Sequence, residues 1–180
     1  MPRLICSIVS IFFFTACATP PAGIQTTTNP AADLGRLRTF TFLEADPKDK
    51  GAITDPAVNG RLRQLIARQL VERGYLPAAS GQTADLGVLF AGHVEPKQRV
   101  LMTGRSGPYS YNWGRAELGG QTTLDYREGT LVVDLVDLSR NELAWRARIS
   151  EALTAGYSEE NWRKLDSALG DAFKTVPQRR

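Results

Sequence analysis

Apolar and polar residues alternate in four stretches of the chain, and this spacing of two predicts β-strands. The first stretch is Arg38 to Leu43, RTFTFL, and the second is Asp85 to Glu95, DLGVLFAGHVE. Two more cover residues 129–137 and 142–153, with the four residues 138–141 between them. A loop of that length between two alternating stretches is typical of a β-hairpin.

Two other stretches have apolar residues at helical spacing. Asp55 and Pro56 are typical of an N-cap followed by the first helical residue, and Gly74 is typical of the position just past a helix end. A second helix is expected from about 159 to 175, with Ser158 as its cap and Pro177 as its stop. The apolar stripes are Val58, Leu62, Leu65, Ile66 and Leu70, then Trp162, Leu165, Leu169, Ala172, Phe173 and Val176.

The order of these elements limits the architecture. A strand, a helix and a strand in succession predict a right-handed crossover between parallel neighbours. The fold class is therefore expected to be α+β, with a mixed β-sheet of about four to six strands. The expected order is β-α-β-β-β-α, with the two helices packed on one face of the sheet.

The N-terminal segment predicts where in the cell the protein is located. Leu4 to Phe14 form an apolar run of eleven residues, too short to cross a bilayer but suited to a signal peptide. The following FTAC resembles the lipobox of bacterial lipoproteins, in which the cysteine is acylated, for example with palmitate, and becomes the first residue. By that resemblance Cys17 is the lipidation site, and Ala18 after it favours the outer membrane, facing the periplasm. An ordinary secretory signal with an incidental cysteine is the alternative.

These features divide the chain into four parts: a signal peptide at 1–16, a lipidated N-terminus and flexible linker at 17–33, a domain at 34–177 and a tail at 178–180. The linker assignment depends on its Pro, Thr and Ala content. The whole chain has 22 basic and 19 acidic residues, and removing Arg3 with the signal leaves 22 − 1 = 21 against 19. That balance does not indicate nucleic-acid binding. The membrane, through the lipid, is the expected partner, together with a protein of the envelope.

Candidate catalytic and metal-binding groups are few. His93 and Glu95 share a strand face, as half of a metal site or as a base with its orienting carboxylate, but zinc needs three or four ligands and His93 is the only histidine. Asp134 and Asp137 point to opposite faces of their strand, so Asp134 is expected to be solvated or to pair with Arg146 or Arg148, and Asp137 to cap the hairpin loop.

Four acidic residues around the first loop lack the spacing of an EF-hand and are expected to be a solvated cluster with one helix cap. They are Glu44, Asp46, Asp49 and Asp55. No metal, cofactor or catalytic residue is predicted, and a non-enzymatic role is expected.

The stretch from 97 to 121 is long for a connection inside a compact domain. Three aromatic residues lie at alternate positions in it and two arginines flank them, and these residue types are enriched at binding hot spots. The alternative is a β-hairpin whose aromatic rings pack back on the open face of the sheet. The candidate binding residues are Arg105, Tyr109, Tyr111, Trp113 and Arg115.

The run YREGTLVVDLVDLSRNELAWRA, with ERGY and ADLGV before it and the lipobox upstream, resembles the bacterial lipoproteins that carry domain of unknown function 4136. The resemblance covers about residues 34–177 and implies a lipid-anchored envelope domain, without implying an activity. Three functions stay open: a protein-interaction or assembly module, which is favoured; a carrier or sensor that binds a small apolar or glycan ligand in a cleft beside Trp113; and a hydrolase that uses His93 or an acid pair.

Overall fold

The computed structural model describes residues 23–46, 48–49, 51–103, 120–153 and 158–179. Its elements, in chain order, are β1 (Ile24–Thr28), β2 (Thr39–Phe42), α1 (Pro56–Glu72), β3 (Leu76–Pro77), β4 (Leu86–Thr103), β5 (Gly120–Asp137), β6 (Glu142–Leu153) and α2 (Glu159–Phe173). The six strands form one sheet in the order β1-β6-β5-β4-β2-β3.

The sheet is mixed, and its parallel part is the predicted crossover. Strand β2 runs parallel to β4, with Phe40 opposite Leu86, and helix α1 lies between them in the chain. The other long pairs, β4 with β5, β5 with β6 and β6 with β1, are antiparallel. The α+β class, the strand count and the two helices are confirmed, and β1 and β3 are added to the predicted order.

One face of the sheet carries the core. Its strands contribute buried apolar side chains at alternate positions, and both helices contribute their stripes to the same cluster. No helix covers the opposite face, where Arg146 and Arg148 are exposed and Leu89 and Val132 are partly exposed. The buried strand residues are Leu86, Val88, Phe90, Leu131, Val133, Leu135, Trp145, Ala147 and Ile149.

Both helices begin at the predicted caps. The Asp55 carboxylate accepts from the backbone N–H groups of Ala57 and Val58, at 2.9 and 3.1 Å. The Ser158 hydroxyl accepts from the backbone N–H of Asn161 at 3.2 Å. Gly74, just after α1, has a φ of +86°, a backbone conformation that glycine adopts without a Cβ penalty. Neither described helix combines the length and the hydropathy that a bilayer-crossing helix needs.

Residues 24–28 of the segment expected to be a flexible linker form a strand instead. Strand β1 lies there as an edge strand, with Ile24 opposite Ile149 and only 5% exposed. Threonine suits both a polar linker and a β-strand, and IQTTT has only one large apolar residue. The sequence therefore had too little alternation in this stretch to show a strand.

A β-bulge alters one predicted face. In an uninterrupted strand Leu143 would share a face with Trp145, but it is 37% exposed and Ala144 is fully buried. The ladder shifts between the pairs Leu135–Trp145 and Val136–Leu143. An extra residue in one strand reverses the alternation beyond it.

Gly23, the residue just before strand β1, leaves no room for a side chain. Its φ is +100°, and a Cβ there would overlap the Ser150 carbonyl oxygen. We expect Gly23→Ala to lower the free energy of unfolding by about 1–2 kcal/mol, measured by urea denaturation of the mature chain. Gly60 in α1 has nothing within 4 Å of such a Cβ, so Gly60→Ala should raise it by about 1 kcal/mol. Equal effects of the two changes would contradict this account of Gly23.

Candidate functional site

A cleft lies where the sheet extends past the beginnings of both helices. Its volume is about 350 Å³, and β4, β5 and β6 form its floor. Helix α1 contributes Val58 and Leu62, and helix α2 contributes Trp162 and Leu165. Most of the lining side chains are aliphatic or aromatic, so the cleft suits an apolar group.

Close backbone packing forms one wall of the cleft. The Gly92 N–H donates to the Gly51 carbonyl at 2.9 Å, which ties the loop before α1 to strand β4. A Cβ on Gly92 would lie 3.1 Å from the Ile53 Cδ1 atom, so the glycine lets Ile53 pack tightly against the strand. Val94, two residues further along the same face, is 47% exposed because the helices do not reach it.

Trp162 is held at the helix side of the cleft by a charged pair. The Arg61 guanidinium lies 4.6 Å from the centre of its ring, which is cation–π geometry. Arg61 also donates two hydrogen bonds of 2.7 Å to the Glu159 carboxylate. These bonds raise the pKa of Arg61 and lower the pKa of Glu159, so both groups stay charged at neutral pH.

A second feature is the two-stranded arm formed by residues 97–103 of β4 and 120–126 of β5. The two strands pair without interruption from Leu86–Asp137 to Thr103–Gly120. Strand β6 follows β5 only as far as the pair Arg127–Leu153, and β2 follows β4 only at its beginning. In the described ranges, then, no third strand pairs with the arm. It runs about 23 Å beyond the body of the sheet, at 3.3 Å per residue.

The candidate binding residues lie outside the described part of the chain. Arg105, Tyr109, Tyr111, Trp113 and Arg115 belong to residues 104–119, which the two strands of the arm lead into and out of. The predicted lipidation site, Cys17, also lies outside it. Residues 97–103, which were expected to be part of a long loop, are paired strand instead.

His93 and Glu95 share a face, as predicted, but it is the open face of the sheet. The His93 Nε2 atom lies 3.3 Å from Glu95, and the His93 side chain is 65% exposed. Glu95 also contacts the Lys97 ammonium at 2.9 Å, and the hydrogen bond from Lys97 lowers the pKa of Glu95. Among the described residues, no three His, Cys, Asp or Glu side chains converge as metal ligands would.

The two aspartates of strand β5 have the structural roles that were predicted for them. Asp134 accepts two hydrogen bonds of 2.7 Å from Arg146, on the open face of the sheet. The buried Asp137 accepts from the backbone N–H groups of Ser139 and Arg140 and so caps the hairpin turn.

Three of the four acidic residues around the first loop have separate partners. Glu44 pairs with Arg63 at 2.8 Å, Asp46 accepts from the Lys48 backbone, and Asp55 caps α1. None of these contacts brings two carboxylates together around a shared ligand.

Sequence reasoning missed the cleft, although it placed most of the residues that line it. Trp162 was assigned to the buried stripe of its helix, and it is only 8% exposed. The cleft exists because β4 and β5 are longer than the helices that cover them. The full length of these strands could not be read from the sequence, because residues 97–103 show little alternation of apolar and polar residues.

This chain shares a family domain and a fold with known proteins. A family model described as "Domain of unknown function (DUF4136)" matches residues 24–178. No curated protein sequence matches the chain. A crystal structure of a PDZ domain protein from Parabacteroides distasonis superposes with a TM-score of 0.55 at 13% identity, over 87% of this chain. This chain spans only 36% of that protein, and the likeness shows a shared fold alone.

Two further structures are more distant. The PelC dodecamer from Paraburkholderia phytofirmans has a TM-score of 0.48 at 15% identity, covering 87% of this chain and 97% of that one. A minor lipoprotein from Acinetobacter baumannii has a TM-score of 0.35 at 11% identity, covering 79% of this chain and 90% of that one.

Proposed function

Since the chain belongs to the DUF4136 family, whose domain has no assigned function, we propose a role from its own features: a lipid-anchored lipoprotein of the bacterial cell envelope that acts as a non-enzymatic interaction or assembly module. Cys17 in its FTAC context supports the anchor, and Ala18 supports an outer-membrane location facing the periplasm. The partners would be the membrane, through the lipid, and another envelope protein.

The β4–β5 arm is the observation that carries the interaction role. A two-stranded ribbon is marginally stable by itself in water, because its backbone and side chains gain little burial. A partner strand along its edge or a surface against its face would supply the missing contacts, as in β-augmentation. In the chain, Tyr109, Tyr111 and Trp113 lie between the two strands of the arm, and Tyr and Trp are residue types enriched at binding hot spots.

The polar groups give no comparable support for catalysis. His93 is largely exposed beside Glu95 and Lys97, and Asp134 is bonded to Arg146. A general base needs a partner that orients it, and the carboxylate beside His93 is shared with the Lys97 ammonium. The proposal therefore assigns the protein no catalytic residue and no cofactor.

The apolar cleft supports a second candidate, a carrier or sensor of a small apolar ligand. A volume of about 350 Å³ lies at the low end of the range of small-molecule pockets. The cleft adjoins Trp162, whereas the carrier hypothesis had placed it beside Trp113.

Cross-linking in native envelopes tests the interaction role. We expect wild-type protein to give one discrete cross-linked partner, and the triple variant Tyr109→Ser, Tyr111→Ser, Trp113→Ser to lose it while still being folded and acylated. The matched control is the double variant Val71→Ser, Leu76→Ser, whose residues are 48% and 60% exposed and which should keep the partner. Equal capture by all three proteins, or no capture by any, would contradict a docking role for the arm.

A further inference from the structure

The cleft lies at the end of the sheet where the chain leaves toward Cys17. Strand β1 is antiparallel to β6, and Ile24 lies opposite Ile149, which lines the cleft. The Ser150 N–H donates to the Gly23 carbonyl at 2.7 Å, which fixes the exit point beside that lining residue. Five residues lie between Cys17 and Gly23, and the six steps from one to the other span at most about 20 Å.

We propose that this cleft binds one acyl chain of the lipid carried by Cys17. The inference rests on the lipid anchor of the proposed function and adds a site to it. An acyl chain needs an apolar wall and an open end, and the cleft has both, with Val94 at its exposed side. A short tether also gives the chain's own lipid a high effective concentration at the cleft.

The polar groups of the lining favour an acyl chain over a charged ligand. Across the described residues, the lining contains no lysine or arginine, and its one histidine, His93, already contacts the Glu95 carboxylate at 3.3 Å, so an anionic headgroup would find little positive charge there. Its carboxylates are those of Asp55 and Glu151, and Asp55 is already bonded to the α1 backbone. The aliphatic part of the wall, by contrast, is continuous from helix to sheet: Ile53, Val58, Leu62, Leu131 and Ile149.

An acyl chain in the cleft would still leave the protein attached to the membrane by its other acyl chains. Moving one acyl chain from the bilayer into the cleft exchanges one apolar surrounding for another. How well the acyl chain packs in the cleft therefore decides which of the two sites it occupies. Away from a bilayer the acyl chain would otherwise be exposed to water, and the cleft would shield it. The cleft would therefore matter most when the lipoprotein is away from a bilayer.

Photo-cross-linking of the full chain, expressed with its own signal in bacteria, tests the site. Cells are fed a palmitate analogue that carries a diazirine and an alkyne, and the protein is irradiated and then digested with trypsin. We expect the acylated peptide that begins at Cys17 to become joined to one or more of the cleft peptides, 74–97, 128–140 and 149–163. The variant Val94→Glu should reduce the yield of that product at least about tenfold, because a carboxylate at the exposed side of the cleft opposes an acyl chain.

Two variants control for folding and for the kind of change. Val71→Glu introduces the same charge at a position 48% exposed near the far end of α1, and it should keep the wild-type yield. Val94→Trp narrows the cleft without adding charge, and it should also reduce the yield. Circular dichroism establishes that each variant is folded.

The possible failures are distinguishable. If the alkyne label is absent from Cys17 before irradiation, both the lipid anchor and the acyl site are wrong. If Cys17 is labelled but its peptide joins none of the cleft peptides, or joins them equally in Val94→Glu, the acyl site is wrong and the anchor stands. If the cleft peptides instead gain the mass of a phospholipid, the cleft takes membrane lipid and its assignment to the protein's own acyl chain is overturned.

Discussion

Replacing Trp145 by alanine is expected to cost about 3–5 kcal/mol of unfolding free energy, as large aromatic-to-alanine changes in cores do. Trp145 is fully buried, and its ring centre lies 4.8 Å from that of Phe173. Its indole N–H donates to the Thr175 hydroxyl at 2.9 Å, which links strand β6 to the end of helix α2. A domain of this size is stable by only about 5–15 kcal/mol, so the variant should be close to unfolding at 37 °C.

Two neighbouring changes separate packing from general damage to strand β6. Leu143→Ala lies in the same strand at a position 37% exposed, and we expect a loss below about 1 kcal/mol. Trp145→Phe keeps an aromatic ring but removes the hydrogen bond to Thr175, and its loss should be intermediate. Urea denaturation followed by circular dichroism measures all three. A loss for Trp145→Ala no larger than that for Leu143→Ala would show that this contact does not hold α2 to the sheet.

The central elements were predictable because their side-chain pattern records which face is buried. Trp145, Ala147 and Ile149 alternate with arginines, and the helix stripe that includes Leu169 and Phe173 packs on that same face. The caps were also readable, since Asp55 and Ser158 each stand immediately before an apolar-periodic run. Local chemistry and burial agree in these segments, which is the condition for reading a fold from sequence.

The edges were not predictable, because pairing there depends on distant partners. Strand β1 is specified by Ile149 and its neighbours on β6, more than a hundred residues away in the chain. Strand β3 has only two residues, Leu76 and Pro77, and both are exposed. Neither segment carries a pattern of its own that is long enough to distinguish a strand from a loop.

Predicting the functional site from the sequence meets the same limit. Leu131, Ile149 and Trp162 were identifiable as apolar core positions, and their sequence pattern does not differ from that of residues that are completely covered. Whether such positions form core or cleft depends on the relative lengths of strands and helices. The sequence indicated candidate chemistry at His93 and Glu95, whose side chains are largely exposed, with His93 at the edge of the cleft.

Replacing Asp85 by alanine is expected to cost about 3 kcal/mol near neutral pH, the second largest effect of a single change. The Asp85 carboxylate accepts from the backbone N–H groups of Arg38 and Thr39 at 2.7 and 2.9 Å, and from the Thr39 hydroxyl at 3.1 Å. Its own N–H donates to the Thr39 hydroxyl at 3.0 Å. Asp85 therefore joins the beginnings of β2 and β4, the parallel pair on which the crossover depends.

The contribution of Asp85 should depend on pH with a definite sign. The hydrogen bonds from Thr39 and Arg38 lower the pKa of this carboxyl from its ordinary value of 3.8. The unfolded chain therefore binds the proton at a higher pH than the native protein does, and this stabilisation is complete above about pH 5. It is lost as the pH falls through the native pKa.

Asp85→Asn isolates that charge, because it keeps the shape and one acceptor oxygen while removing the titration. The difference in unfolding free energy between wild type and Asp85→Asn should be largest near neutral pH and should shrink below about pH 4. Other carboxylates are common to both proteins and cancel in this difference. Asp33→Asn, which removes an exposed ion pair with Arg36, should give a small difference at every pH. A difference for Asp85→Asn that stays constant from pH 7 to pH 3 would mean that the hydrogen bonds, without the charge, hold β2 to β4.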